Sequence, residues 1–254
     1  MYSNNTALQD YTDSISATEN CICIDVLQYH VMDDQVKYYY ESFYRSLMHK
    51  GLVGKFFAIS NRMIEKSFKE TDYYPTILEL GATSENHLNY VKCTYNEYHL
   101  TDLNEVKLLN FKEDKKVIVR QLNASDFTDE PSNFYDRIIV TCLILHLDEI
   151  EHALNEWKRA TKQNGYISIY VHCEPGILLR FMRSITTVPK SFFKSRNNHF
   201  DLVYLEHKTH FLHVKHTIKK VFANDEVHQA YFPFRFMSWN FNFWKIYTIK
   251  VLNK

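Results

Sequence analysis

Apolar residues recur every three or four positions between residues 33 and 69. Val36, Tyr40, Phe43 and Leu47 form one stripe, which Gly51 ends; Leu52, Phe56, Ile59 and Met63 form a second. That spacing predicts two amphipathic helices. Tyr74-Pro75 then breaks the chain, and the period shortens. Compact apolar runs over residues 77–80, 95–101, 117–122, 135–145 and 166–171 predict five strands. The run at 135–145 is almost unbroken, as a strand covered on both faces requires. Residues 86–92 predict a short helix. Ile150, Ala153, Leu154, Trp157 and Ala160 trace the buried stripe of a longer one, with Asp148 and Glu151 spaced as a capping box and Asn164-Gly165 as its stop.

Strands that alternate with helices predict an α/β fold, a doubly wound and mostly parallel sheet with helices on both faces. Residues 177–193 and 209–221 read as further helices. Residues 227–236 and 243–252 read as two last strands, joined closely enough for an antiparallel edge. The organisation expected is an amino-terminal arm and helical cap over residues 1–70, then the α/β domain over 71–254 with an insertion around 174–220. No repeat or linker divides the chain further.

Composition narrows the function classes. The 30 basic and 30 acidic residues cancel, so no basic excess favours nucleic acid or another polyanion as partner. No apolar run reaches the roughly 18 residues of a membrane span, and the first residues lack the basic and apolar pattern of a secretory signal. Cys21, Cys23, Cys93, Cys142 and Cys173 form no disulfide framework. Reduced thiols in a cytoplasmic protein are the expectation. Glycine is scarce, at five residues, against about three times as many in an average chain of this length. Each one present therefore marks a place where the backbone needs it.

Ligands of doubly wound sheets bind beyond the carboxyl ends of the strands. Four segments fall there. In Glu79-Leu80-Gly81-Ala82-Thr83-Ser84-Glu85-Asn86, a strand runs into a loop and then a helical pattern; Gly81 permits close backbone approach, and a helix start favours an anionic group. Asp102, about 21 residues on, is placed to accept the hydroxyl hydrogens of a ribose. Asn123-Ala124-Ser125-Asp126 offers an amide and a carboxylate to a purine edge. Thr141-Cys142-Leu143, with His146 following, closes the series.

These segments, together with Phe134-Tyr135-Asp136-Arg137, His146-Leu147 and the Glu156-Trp157-Lys158-Arg159 to Asn164-Gly165 stretch, resemble the successive motifs of class I S-adenosylmethionine-dependent methyltransferases. The likeness is close over residues 75–175. Lys50-Gly51-Leu52-Val53-Gly54, Glu174-Pro175-Gly176 and Glu206-His207 look like one bacterial subgroup of that family. The resemblance implies a Rossmann-like, seven-stranded sheet and S-adenosylmethionine as cofactor. It implies that Glu79, Gly81, Ala82, Thr83 and Asn86 surround the methionine part and that Asp102 holds the ribose with Leu103 on the adenine. Ala124, Ser125 and Asp126 would border the adenine, and Thr141, Cys142 and Leu143 the methionine side. The family's other two loop glycines are replaced here by Thr83 and Glu85.

Methyl transfer needs an acceptor in line and, for many acceptors, a base. His146 is the first candidate base; Glu206 and His207 are the next. With no polyanion partner expected, the acceptor is an oxygen or nitrogen of a small molecule or glycan precursor. His207, His210, His213 and His216 recur every third residue, but a step of three drifts around a helix and no cysteine or carboxylate pair completes a metal site. Thr83 and Glu85 support a second reading, a non-catalytic binding or scaffolding protein of the same fold. A dinucleotide oxidoreductase is a more distant alternative, because the three-glycine fingerprint is missing.

Overall fold

Seven strands form one sheet: β1 (Thr76–Leu80), β2 (Glu97–Asp102), β3 (Val117–Gln121), β4 (Tyr135–Thr141), β5 (Thr161–His172), β6 (Glu226–Phe232) and β7 (Trp244–Lys250). Their order across the sheet is β3-β2-β1-β4-β5-β7-β6. The first five pair in parallel, and β7 inserts antiparallel between β5 and β6, so the expected antiparallel edge is present. Among the described residues, four α-helices accompany them: α1 (Gly51–Ile64), α2 (Ile150–Ala160), α3 (Ile177–Thr186) and α4 (Phe211–Val221). The computed structural model describes residues 51–82, 87–103, 116–186 and 207–252. These all belong to one compact unit, Met48–Lys254. The helix expected before Gly51, the amino-terminal arm and Cys21 and Cys23 lie outside the described residues, as does the carboxyl-terminal part of the helix expected over 177–193. Among the described residues, no helix is long and apolar enough to cross a membrane.

The apolar periods place the helices. Trp157, Leu154 and Ala153 of α2 and Phe211, Val214 and Ile218 of α4 pack with Leu78, Ile138, Ile167 and Ile249 on one face of the sheet. On the other face, Phe56, Ile59 and Met63 of α1 and Leu179 of α3 pack with Tyr170, Trp244 and Ile246. A smaller cluster of Ile77, Tyr98, Leu100 and Ile139 extends that layer. β1 and β4 are central, which is why their sequences read as apolar runs rather than alternations.

Three local expectations are corrected. The apolar run at 135–145 is not one strand: β4 stops at Thr141, Cys142 adopts a φ of +56°, and Ile144–His146 forms a 3₁₀ turn that buries Ile144 and Leu145. Burial of the turn, not of a strand, explains the run's second half. The helix expected at 86–92 is a single 3₁₀ turn, Leu88–Tyr90. The capping box of α2 does not form. Glu149 takes the cap position without a side-chain cap bond, while Asp148 pairs with Lys208 at 2.5 Å and Glu151 with Lys220 at 2.6 Å. Both carboxylates gain a full positive partner in place of a backbone amide.

Among the described residues, two buried cations interrupt this apolar plan. Arg137, in the middle of β4, is wholly buried and pairs at 2.6 Å with Glu65 of the 3₁₀ turn that follows α1. The guanidinium carbon lies 3.5 Å above the centre of the Phe68 ring. Burial would raise the Glu65 carboxyl, but His87 and Arg137 hold it down at about 2. Lys245 of β7 is the second; its ammonium sits 4.5 and 4.6 Å from the ring centres of Tyr231 and Tyr247. Burial pushes it down to about 8.

Replacing Arg137 with Met strands the Glu65 carboxylate in the core, and urea unfolding should show a loss of about 3–5 kcal/mol. The Glu65→Gln/Arg137→Met double variant should recover much of that loss; a single variant within about 1 kcal/mol of wild type would contradict the coupling. Lys245 behaves oppositely. Its folded value lies below the ordinary 10.5, so the charged amine opposes folding, and wild-type stability should rise as pH increases from about 8 to 10.5. Lys245→Met should melt higher than wild type at neutral pH, and that advantage should vanish above this window.

Candidate active site

The strand order reverses between β1 and β4, which run parallel, and there the loop after β1 is tied at both ends. At its start, the Ala82 amide donates to the Thr101 carbonyl at 2.8 Å, and the Thr101 hydroxyl donates to the Glu79 carbonyl at 2.7 Å. At its end, the His87 amide donates to Glu79 Oε1 at 2.6 Å, while the Tyr98 hydroxyl donates to Glu79 Oε2 at 2.5 Å. The His87 ring lies between Asn61 and Glu65, with Nδ1 2.8 Å from Asn61 Oδ1 and Nε2 2.7 Å from Glu65 Oε1. Residues from α1 and its following turn therefore fix the far end of the loop. Burial pushes the Glu79 carboxyl up to about 7 against these donors.

Two expected ligand contacts at this loop are thereby recast. The Glu79 carboxylate is completely buried and the Ala82 amide is spent on Thr101, so both shape the loop from beneath. Gly81 is the point of closest approach. Its φ is +70°, and a Cβ there would meet three side-chain atoms of Leu143 at 3.3 Å. Only a glycine supplies both the left-handed backbone and the space. Thr83, Glu85 and Asn86 lie outside the described residues.

Next to this loop stand the ends of β2 and β3. Asp102 closes β2 in register with Gln121, its carbonyl accepting from the Leu122 amide at 3.1 Å. Leu103 follows at 50% exposure, an apolar side chain on offer at a polar rim. Ala124 is buried, with its carbonyl accepting from Trp157 Nε1 at 2.8 Å. The Ser125 amide donates to Asn123 Oδ1, and Asp126 Oδ1 accepts from the amide and hydroxyl of Thr128. That segment is a self-bonded turn that rims the crevice. The exposed Leu103 thus follows a largely buried carboxylate at the strand end beside the Gly81 loop.

Beyond Gly81 the ends of β4 and β5 carry a denser polar group. Cys142 Sγ lies 3.5 Å from His172 Nε2, and the Tyr170 hydroxyl lies 3.3 Å from His172 Nδ1. Burial, reinforced by the Arg183 charge, pushes His172 down to about 3, so it is neutral. Arg183 donates to both oxygens of Glu174, Nη1 to Oε1 and Nη2 to Oε2 at 3.4 Å, and Oε2 also lies 2.5 Å from His207 Nδ1. Burial would raise Glu174, but His207 and Arg183 hold it at about 2. The His207 ring stands 4.8 Å from that of His146 at 72°. Two of the three candidate bases are thus brought together; the third, Glu206, lies outside the described residues.

Glu174, Arg183 and His172 were not singled out from sequence, although the strand-end rule that found Asp102 applies equally to the end of β5. The histidine ladder disperses. His207 turns to Glu174, and His210 caps α4 by accepting from the His213 amide. Among the described residues, no group of three or more histidine, cysteine or acidic side chains is arranged for a metal ion.

Residues 78–169 match the family profile described as a methyltransferase domain. No curated protein sequence matches the chain. Among solved structures, the fold is similar to the CurJ carbon methyltransferase (TM-score 0.54, 13% identity, 82% of this chain and 58% of that one). It is also similar to a chain in the complex of the Haloferax volcanii Trm112 methyltransferase activator with a putative methyltransferase (0.58, 11%, 88% and 100%). A third is Haemonchus contortus phosphoethanolamine N-methyltransferase 2 in complex with S-adenosyl-L-methionine (0.54, 14%, 77% and 53%). The chain spans little more than half of the first and third. At these identities the likeness is one of fold.

Because the folded-state value of Glu79 lies above the ordinary 4.5, its charged form opposes folding, and the stability it gives below pH 4.5 should be lost as pH rises to about 7. The difference in unfolding free energy between wild type and Glu79→Gln should change across that window and be flat above it. A flat difference throughout would show that Glu79 keeps an ordinary carboxyl.

Proposed function

We propose, from the match of residues 78–169 to a methyltransferase-domain profile, that the protein transfers the methyl group of S-adenosylmethionine to an oxygen or nitrogen of a small molecule or glycan precursor. One observation supports the reading above all. Across the carboxyl ends of β2, β1, β4 and β5 stand, in spatial order, the Asp102 carboxylate, the Gly81 cradle, Cys142 and the Glu174–His207 pair. The first two suit a nucleoside; the last two suit an acceptor.

The bound cofactor supplies a methyl group made electrophilic by a sulfonium centre. The chain's own task is to hold an acceptor in line with that methyl and to receive its proton. Asp102 would take the ribose hydroxyls and Leu103 the adenine face. Ser125 and Asp126 rim the adenine edge. Thr141, Cys142 and Leu143, beside Gly81, border the methionine side. His146 and His207 lie next along the sheet edge, on the acceptor side. The chain's formal charge of zero agrees with an acceptor that is neither nucleic acid nor another polyanion.

Thermal unfolding with S-adenosylhomocysteine tests the cofactor half. At about 100 times its dissociation constant the ligand adds about 2.7 kcal/mol, several degrees in melting temperature. Asp102→Ala should abolish the shift. A wild type unmoved at millimolar ligand would favour the non-catalytic scaffold reading that Thr83 and Glu85 suggest. Methyl-labelled S-adenosylmethionine incubated with a metabolite extract then identifies the acceptor.

A further inference from the structure

We propose that Glu174 is a positioning residue that fixes His207 as the general base of the transfer, and that Arg183 fixes Glu174. The inference rests on the methyltransferase reading and adds how the acceptor's proton leaves. Three separate segments converge to build the arrangement. The turn after β5 presents Glu174; it is closed by the Gly176 amide donating to the Cys173 carbonyl at 2.7 Å, where a Cβ on Gly176 would come within 2.5 Å of that same oxygen. α3 supplies Arg183, whose two terminal nitrogens donate to the two carboxylate oxygens. The segment carrying His207 is docked by the Lys208 and Thr209 amides, which donate to the Leu145 carbonyl at 3.0 and 3.3 Å, beside His146. Phe211 completes the tie, its amide donating to the Glu174 carbonyl at 2.9 Å.

A surface ion pair needs none of this. Glu174 and His207 are mostly buried, with side-chain exposures of 15% and 13%, and the carboxylate already has a cation in Arg183. The additional contact places a carboxylate oxygen 2.5 Å from Nδ1, off the line of an ideal hydrogen bond yet so close that it is favourable only if this nitrogen carries hydrogen. The opposite nitrogen, Nε2, then holds a lone pair. Among the described residues, the other charged or titratable groups grouped with the ring are His146, His172 and Arg183. His172 is neutral and Arg183 is spent on Glu174, which leaves the carboxylate to balance a proton gained by His207. In the step, a lone pair of the acceptor atom forms the bond to the methyl carbon as the carbon–sulfur bond breaks with its electrons going to sulfur. The acceptor's proton passes to Nε2, and the imidazolium so formed is stabilised by Glu174.

The tautomer of His207 tests the positioning without an acceptor. In the full chain labelled with ¹⁵N-histidine, at alkaline pH where imidazoles are neutral, wild-type His207 should carry its hydrogen on Nδ1. Glu174→Ala should shift the hydrogen to Nε2. An Nε2–H tautomer in wild type overturns the proposal. The labelled-methyl assay with metabolite extract supplies the chemical arm. Glu174→Gln and His207→Ala should each lower incorporation by about 100-fold or more, with free imidazole partly restoring the His207→Ala variant. Both should keep the wild-type thermal shift with S-adenosylhomocysteine, which also shows that they fold. Variants that keep both the shift and wild-type incorporation overturn the base assignment alone; loss of the shift in wild type overturns the methyltransferase reading instead.

Discussion

The buried Arg137–Glu65–His87 cluster is the constraint on which the site depends. A guanidinium in the centre of β4 has no water to solvate it, and Glu65 is the carboxylate that balances it. Glu65 comes from the turn after α1, so the helix is fastened to the sheet by charge as well as by the packing of Phe56, Ile59 and Met63. Its second partner, His87, carries the end of the β1 loop. One buried carboxylate therefore links the helical layer, the central strand and the cofactor-side loop. A buried pair of this kind contributes little net stability compared with apolar packing, because desolvation of both ions offsets their attraction. It does impose one arrangement, since any displacement strands a charge in the core.

The two halves of the site follow different rules. On the proposed nucleoside side the side chains nearest the loop, Glu79 and Tyr98, are buried and bond to each other, while Leu103 beyond β2 is half exposed. Glycine at position 81 sets how closely that backbone and Leu143 approach. At the ends of β4 and β5, the proposed acceptor side, the polar side chains come from distant segments: His146 from the turn after β4, Glu174 from the end of β5, Arg183 from α3 and His207 from the segment before α4. The first half is built from contiguous motifs, the second from convergence.

That difference governs what could be read from the chain alone. The segments expected to hold a nucleoside follow one another at strand ends, so their order and spacing are local features of the chain, and the mostly parallel sheet and its antiparallel edge were visible too. The apolar run at 135–145 misled because burial, not strand geometry, is what it encodes; the same residue types serve a central strand and a buried 3₁₀ turn. Asp148 and Glu151 matched a cap by spacing, yet Lys208 and Lys220, distant in sequence, supplied stronger partners.

The sequence by itself determined the succession of elements, the faces they bury and the residues that end each strand, because period and turn chemistry are local properties written every few residues. Only the tertiary structure decided that Glu65 meets Arg137, that Glu79 turns beneath its loop, and that Glu174, Arg183 and His207 share one site. Those meetings depend on strand register and on how helices cross the sheet, which are settled by packing of the whole domain. No local pattern records them, because each partner's own neighbourhood would be satisfied equally well by water.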